Sequence, residues 1–393
     1  MSINYIERNR QLDILFADLK LHMGSFDSKN NGRISQEKDV RWVDDVLKIE
    51  RFITSVLMNK KPLFAQKGEI MKLAAEFEKL AISLNHTNPF KGALRTRPDT
   101  LENFVSEIIN NLDESEHIFI QQFSEYLQLF FDCLNKEIER MYKNHKYAKE
   151  WPKSSRAKPR LNKDLYNIEI DALNDTVSSF RQEVKSEKIK KNITHLKNRS
   201  AKRYKSAMDY LDQLFAEHGK LTFIAIDLTF NDRRLAHNQM QEAFTKLIRN
   251  GKNHQALRHK VGHFCKWEYS HEKGVYCRVI FIFPAVEVDD IATQIEVIHN
   301  YWNDNITDGA GDIHNAKLSK EPKEFNSTYC TFGSGNSELI KQFKERILFY
   351  MTYIDIYYHP NALEVFKDIY NRGEFSKKVK EQAADDSKAA SAS

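Results

Sequence analysis

The sequence predicts an α+β protein, with an all-α helical bundle first and a mainly antiparallel sheet after it. Three observations predict it. Up to about residue 215 apolar residues recur at helical spacing and glycine is scarce. After Gly219 the helical period gives way to an apolar, β-branched run and then a tight hairpin. Helical stretches then alternate with the extended ones, which predicts helices packed on one face of the sheet. At 393 residues the chain is long enough for two parts, each burying its own core.

In the first part, Val40, Val43, Leu47, Phe52, Val56 and Leu57 form a core-facing stripe, spaced three to five apart. A longer stripe runs through Phe119, Phe123, Leu127, Phe130, Phe131, Leu134, Ile138 and Met141. Asp99 with Glu102 resembles a capping box, with Asp in place of Ser or Thr. Two basic stretches follow. Lys143, Lys146, Lys149, Lys153, Arg156, Lys158, Arg160 and Lys163 are interrupted by Pro152 and Pro159, which break helix and mark a linker. Lys185, Lys188, Lys190, Lys191, Lys197, Arg199, Lys202, Arg203 and Lys205 come next, with Glu187 the one acid nearby. Such a run is either a solvated helix face or a surface for nucleic-acid phosphates.

In the second part, Leu221 to Leu228 reads as a buried strand, with Asp227 at its end capping the next turn. A helix near Gln239 to Arg249 follows, then the hairpin, a helix near Asp289 to Tyr301, an extended piece Ser327 to Phe332 and a last helix from about Asn336 to Tyr357. The expected organisation is a helical bundle over 1–150, basic linker and helices over 151–215, a sheet domain over 216–375 and a disordered tail over 376–393. No run approaches the ~20 apolar residues that span a bilayer. The charged start Met1 to Arg8 reads as no signal peptide. Cys133, Cys265, Cys277 and Cys330 lack paired spacing, which predicts reduced thiols in the cytoplasm and no zinc site. His237, His254, His259, His263 and His271 fit no zinc pattern and read as surface histidines. Gly333-Ser334-Gly335 is a turn that could also present amides to a phosphate.

The hairpin carries the chemistry. On its second strand, Val275, Cys277, Val279, Phe281 and Phe283 face one way, and Tyr276, Arg278 and Ile280 face the other. A tight turn near His271 to Gly274 brings Glu268 beside Tyr276 on that second face.

Residues from about 201 to 367 resemble the gene II-type replication proteins of filamentous phages (inoviruses), most closely the prophage-borne YagK/YfjJ-like members. The likeness lies in Ile226-Asp227-Leu228, Lys266-Trp267-Glu268-Tyr269, Trp302 with Thr307, Gly309 and Gly311, Phe332-Gly333-Ser334-Gly335, and Tyr350-Met351-Thr352-Tyr353, in that order. The resemblance implies an HUH, Rep-like sandwich. There a histidine pair and an acid hold a divalent cation while a tyrosine attacks a phosphodiester. Carried over, the acid falls on Glu268 and the histidine pair on Tyr276 and Arg278. The nucleophile falls on Tyr350, and a lysine of the family on Tyr353. A guanidinium stays protonated and repels a cation, and a phenol is a weak ligand at neutral pH.

Three arrangements fit these residues. Glu268 and Arg278 form a cross-strand ion pair with Tyr276 packed beside them. The surface is a DNA platform, with Arg278 and the lysines on phosphates and Tyr276, Trp267 and Tyr350 stacked on unpaired bases. Or Arg278 replaces the metal as a fixed charge and Tyr350 still attacks. The expected function is DNA binding connected with rolling-circle replication of a phage, prophage or satellite element, without metal-dependent nicking. Single-stranded DNA is the expected partner, held by Lys188, Lys190, Lys191, Lys197, Arg199, Lys202, Arg203 and Trp267. No cofactor and no membrane are expected. A catalytic alternative would use magnesium or manganese on Glu268 and Asp227, and another alternative is an interaction or phage-defence protein whose helical part binds a protein partner.

Overall fold

The structure is a computed structural model that describes residues 5–23, 121–144, 174–232, 237–270, 273–288, 290–360 and 368–373, with single positions within 47–57 and 363–366. The expected capping box at Asp99, the basic run 145–163 and the tail from 376 lie outside the described residues. The chain divides into two compact units, one of residues 1–13, 42–198 and 356–359, the other of 14–41, 199–355 and 360–393.

The first unit is built from helices. It takes the start of α1 (Tyr5–Met23), all of α2 (Glu125–Asn144), a helical stretch at 174–183 and the start of α3 (Glu187–His218). Two short strands, Gln121–Phe123 and Tyr358–Pro360, pair beside them. Leu47 and Val56 of the first predicted stripe, and Leu127 and Phe130 of the second, are buried. Phe130 meets Phe180 edge-on at 5.5 Å, a geometry that aromatic quadrupoles favour.

The second unit is organised by one antiparallel six-stranded sheet: β1 (Lys220–Phe230), β2 (Gly262–Ser270), β3 (Gly274–Pro284), β4 (Gly311–Asn315), β5 (Tyr329–Gly333) and β6 (Tyr370–Arg372). The order is β4-β1-β3-β2-β6, with β5 also paired to β1. β4 takes the 226–230 half of β1 and β5 takes the 220–224 half. β4 escaped the sequence reading because Gly-Asp-Ile-His-Asn is short, polar and without alternation.

Helices cover both faces of this sheet, not one as expected. Ile224, Ile226, Leu228, Trp267, Cys277 and Phe281 share a core with Met240, Phe244 and Leu247 of α4 (His237–Asn250) and Ile298 of α5 (Ile291–Asn300). The opposite face packs Phe223 against Phe215 of α3 and against Phe343, in the π segment Phe343–Leu348 that joins α6 (Ser337–Gln342) to Phe349–Tyr353. The physical reason was present in the sequence. β1 and β3 are apolar almost without interruption, and a strand buried on both faces has no polar side to alternate with.

Candidate functional site: a sealed cluster of acids, phenols and a guanidinium

The hairpin forms with the predicted register. Gly274, at φ 65°, supplies the left-handed turn residue, and Glu268 pairs with Tyr276 while Lys266 pairs with Arg278. On the other side of β3, Asp227 pairs directly with Arg278. Asp227 therefore lies mid-strand and does not cap a turn. The strand runs on through Thr229 and Phe230, and Asp227 is fully buried.

Around Arg278 the polar groups close on one another. Its Nε and Nη2 donate to the two oxygens of Asp227 at 2.9 and 3.0 Å, a bidentate pair. Lys273 Nζ donates to the same carboxylate at 2.6 Å. Glu268 accepts from the Tyr276 hydroxyl on one oxygen and from the Tyr350 hydroxyl on the other, both at 2.9 Å. Arg278 Nη1 lies 3.5 Å from Glu268 and makes no hydrogen bond. The expected Glu268–Arg278 pair thus exists, but the stronger partner of the guanidinium is Asp227.

α1 reaches the same place with a residue that sequence reasoning missed. The His22 ring stacks at a tilt on Tyr350 at 4.7 Å, and its carbonyl lies 3.5 Å from the Tyr276 hydroxyl. Tyr350 is 2% exposed and Arg278 is 4% exposed. Lys266, also missed, is buried on this face and paired with Asp355. Alternation along the strand already puts Lys266 on the face of Glu268, whereas no local signal marks His22, whose partners are distant in sequence.

The electrostatics follow from this sealing. Burial, and then the charge of Glu268, push the Tyr276 and Tyr350 phenols well above their ordinary value. Burial alone would raise Asp227, but Arg278 and Lys273 overrule it and hold the carboxyl far below the usual range. Burial and then the Arg278 charge keep His22 neutral, with its Nδ1 unbonded.

A divalent cation does not fit this set. Two cationic side chains occupy Asp227, and two phenols and a guanidinium surround Glu268, so neither carboxylate is open to a cation. Among the described residues no group of three or more His, Cys, Asp or Glu side chains is placed to hold a metal. Tyr350, neutral and donating into Glu268, is not poised as a nucleophile.

Other predicted residues lie apart from the cluster. Trp267 points to the opposite face, 4.7 Å from Phe366 and edge-on to Phe244, and is core rather than a stacking platform. Alternation requires this, because Trp267 is the neighbour of Glu268 in an extended strand. Tyr353 stacks on Phe349 and meets Tyr204, turned away from Tyr350. His263 is buried, not at the surface, and burial lowers it to about 3. The amide of Ser334 donates to Gly219, which leaves that turn no free amide at this position.

The predicted cations lie along α3. Lys188, Lys190, Lys191, Lys197, Arg199 and Lys202 are exposed, whereas Arg203 is drawn in between Asp355 and Asp368 at 3.6 and 3.3 Å. Lys190 pairs with Glu187 at 3.6 Å, Arg199 with Asp368 at 3.7 Å, and Lys197 lies over the Tyr126 ring. Lys188, Lys191 and Lys202 have no carboxylate partner among the described residues. No helix among the described residues is long and apolar enough to cross a membrane. No protein-family model matches the chain, and neither a curated protein nor a solved structure is detectably similar to it.

Proposed function

We propose that the chain is a DNA-binding protein of the gene II replication type in which Arg278 has silenced strand nicking. On this reading the six-stranded sheet is an HUH, Rep-like sandwich, residues 1–150 form a helical bundle, and the protein serves replication of a phage, prophage or satellite element. One observation carries it. The guanidinium sits between Asp227 and Glu268, where the resemblance puts a cation, while Tyr350 is locked onto Glu268. A fixed positive charge neutralises the acids without offering the open coordination positions that phosphoryl transfer needs.

The exposed lysines of α3 support the binding half, since cations without carboxylate partners are free to displace counterions from a phosphate backbone. Titrating a fluorescent single-stranded oligonucleotide tests it. Affinity should fall steeply between roughly 50 and 200 mM salt, and Lys188→Glu with Lys191→Glu should weaken it. Indifference to both refutes DNA binding. The silencing half predicts no covalent adduct when the protein meets single-stranded DNA with manganese. An adduct that disappears in Tyr350→Phe would overturn it.

A further inference from the structure

At the edge of the sheet, α3 and β6 enclose a groove of about 410 Å³, lined by Lys202, Lys205, Ser206, Asp209, Tyr210, Gln213 and Arg372. The α3 residues recur three to four apart, so they form one wall of the groove, and Arg372 forms the other. Three cations against one acid leave the lining with a net positive charge.

The arginine wall is built, not merely exposed. Arg372 Nε donates to Ser206 Oγ at 2.9 Å, Nη1 donates to the Gly373 carbonyl at 2.8 Å, and the guanidinium lies 4.9 Å from the Tyr210 ring centroid. A guanidinium carries five N–H donors, so these two bonds fix its plane and leave the rest for a ligand. Tyr210 is itself clamped. A Cβ at Gly373 would come within 2.2 Å of its hydroxyl and one at Gly262 within 2.8 Å, so neither position accepts a side chain without displacing the ring. Lys202 and Lys205 are exposed and have no carboxylate partner among the described residues. The groove thus holds one positioned planar donor and two mobile point charges, the combination that recognises a phosphate oxygen pair with flanking charge.

We infer that this groove is a phosphate subsite for a DNA strand, with Arg372 as the fixed fork and Lys202 and Lys205 as its flanking cations. The inference rests on the DNA-binding reading and deepens it. The aromatic floor is covered by the guanidinium and Tyr210 is buried, so no open ring face awaits a base. Recognition is therefore of the backbone and indifferent to sequence. Asp209 is the one opposing charge in the lining and weakens the contact.

The test uses the full chain and a fluorescein-labelled oligodeoxythymidylate of about twelve nucleotides, a length within the site sizes of single-strand binders. Arg372 is left intact because it also ties β6 to α3. Removing two phosphate contacts from a single strand lowers the salt slope by about 1.4, so Lys202→Glu with Lys205→Glu should show that drop and an affinity loss of ten-fold or more near 0.1 M salt. Asp209→Asn should tighten binding a few-fold. If the oligonucleotide binds with steep salt dependence but the double reversal changes neither Kd nor slope, this groove is not the subsite and the DNA reading stands. If no oligonucleotide binds, both fall. Binding to phosphatidylglycerol vesicles that the double reversal abolishes, while oligonucleotide binding stays as it was, would assign the charge to a lipid surface and overturn the inference.

Discussion

Replacing Arg278 by methionine tests the centre of the structure. The substitution keeps a long apolar stem but strips from Asp227 two of its three charge-assisted bonds, at 2.9 and 3.0 Å, leaving only Lys273 at 2.6 Å. Breaking a buried pair from one side costs about 3–5 kcal/mol, because the other charge stays behind unpaired. Lys273 compensates in part, so about 3 kcal/mol is the expected loss. Glu268 also loses the cation 3.5 Å away. Adding Asp227→Asn should return much of that loss, since the stranded charge disappears with its partner. The chain has two units, so a single unfolding transition would blur the result. Amide exchange of peptides from β1 and β3 reads the opening of this sheet alone. A loss below about 1 kcal/mol, or single substitutions that add without coupling, would refute the arrangement of charges described above.

Asp18 on α1 is buried, and burial raises it to about 6 despite hydrogen bonds from Ser319 Oγ and the Lys320 amide. Because its folded pKa exceeds the unfolded value near 3.8, the folded state binds this proton more tightly, and stability falls as pH rises from about 4 through 6. Asp18→Asn should remove about 3 kcal/mol of that pH dependence. Exchange of α1 amides at pH 4 and pH 7, an interval that holds about 2.4 kcal/mol of it, checks it, and parallel behaviour of the two proteins would refute it. Trp267→Ala should cost about 3–5 kcal/mol through an unfilled core while oligonucleotide affinity stays unchanged. A selective loss of binding in a stably folded variant would return Trp267 to the DNA surface.

The hairpin was legible in the sequence because a tight turn and a two-residue period fix its register by themselves. Glu268 opposite Tyr276, with Arg278 on the same face, needed nothing more distant. The apolar run breaks beside Asp227 and so suggests a strand end, although Thr229 and Phe230 continue the strand. Residue type alone suggests a stacking role for Trp267, but its parity in the strand puts it on the far face. His22 and Asp18 were beyond any local reading, since the bond from Ser319 to Asp18 joins residues 301 positions apart. The second layer of helices was implied by the unbroken apolarity of β1 and β3, a pattern that a one-sided sheet would not need.

The position of α1 has a consequence for biosynthesis. Asp18 bonds Ser319 and His22 packs on Tyr350, so these attachments of α1 wait until residues at least 301 positions further along have been made. Closing contacts across so long a stretch of chain carries a loop-closure cost and slows folding.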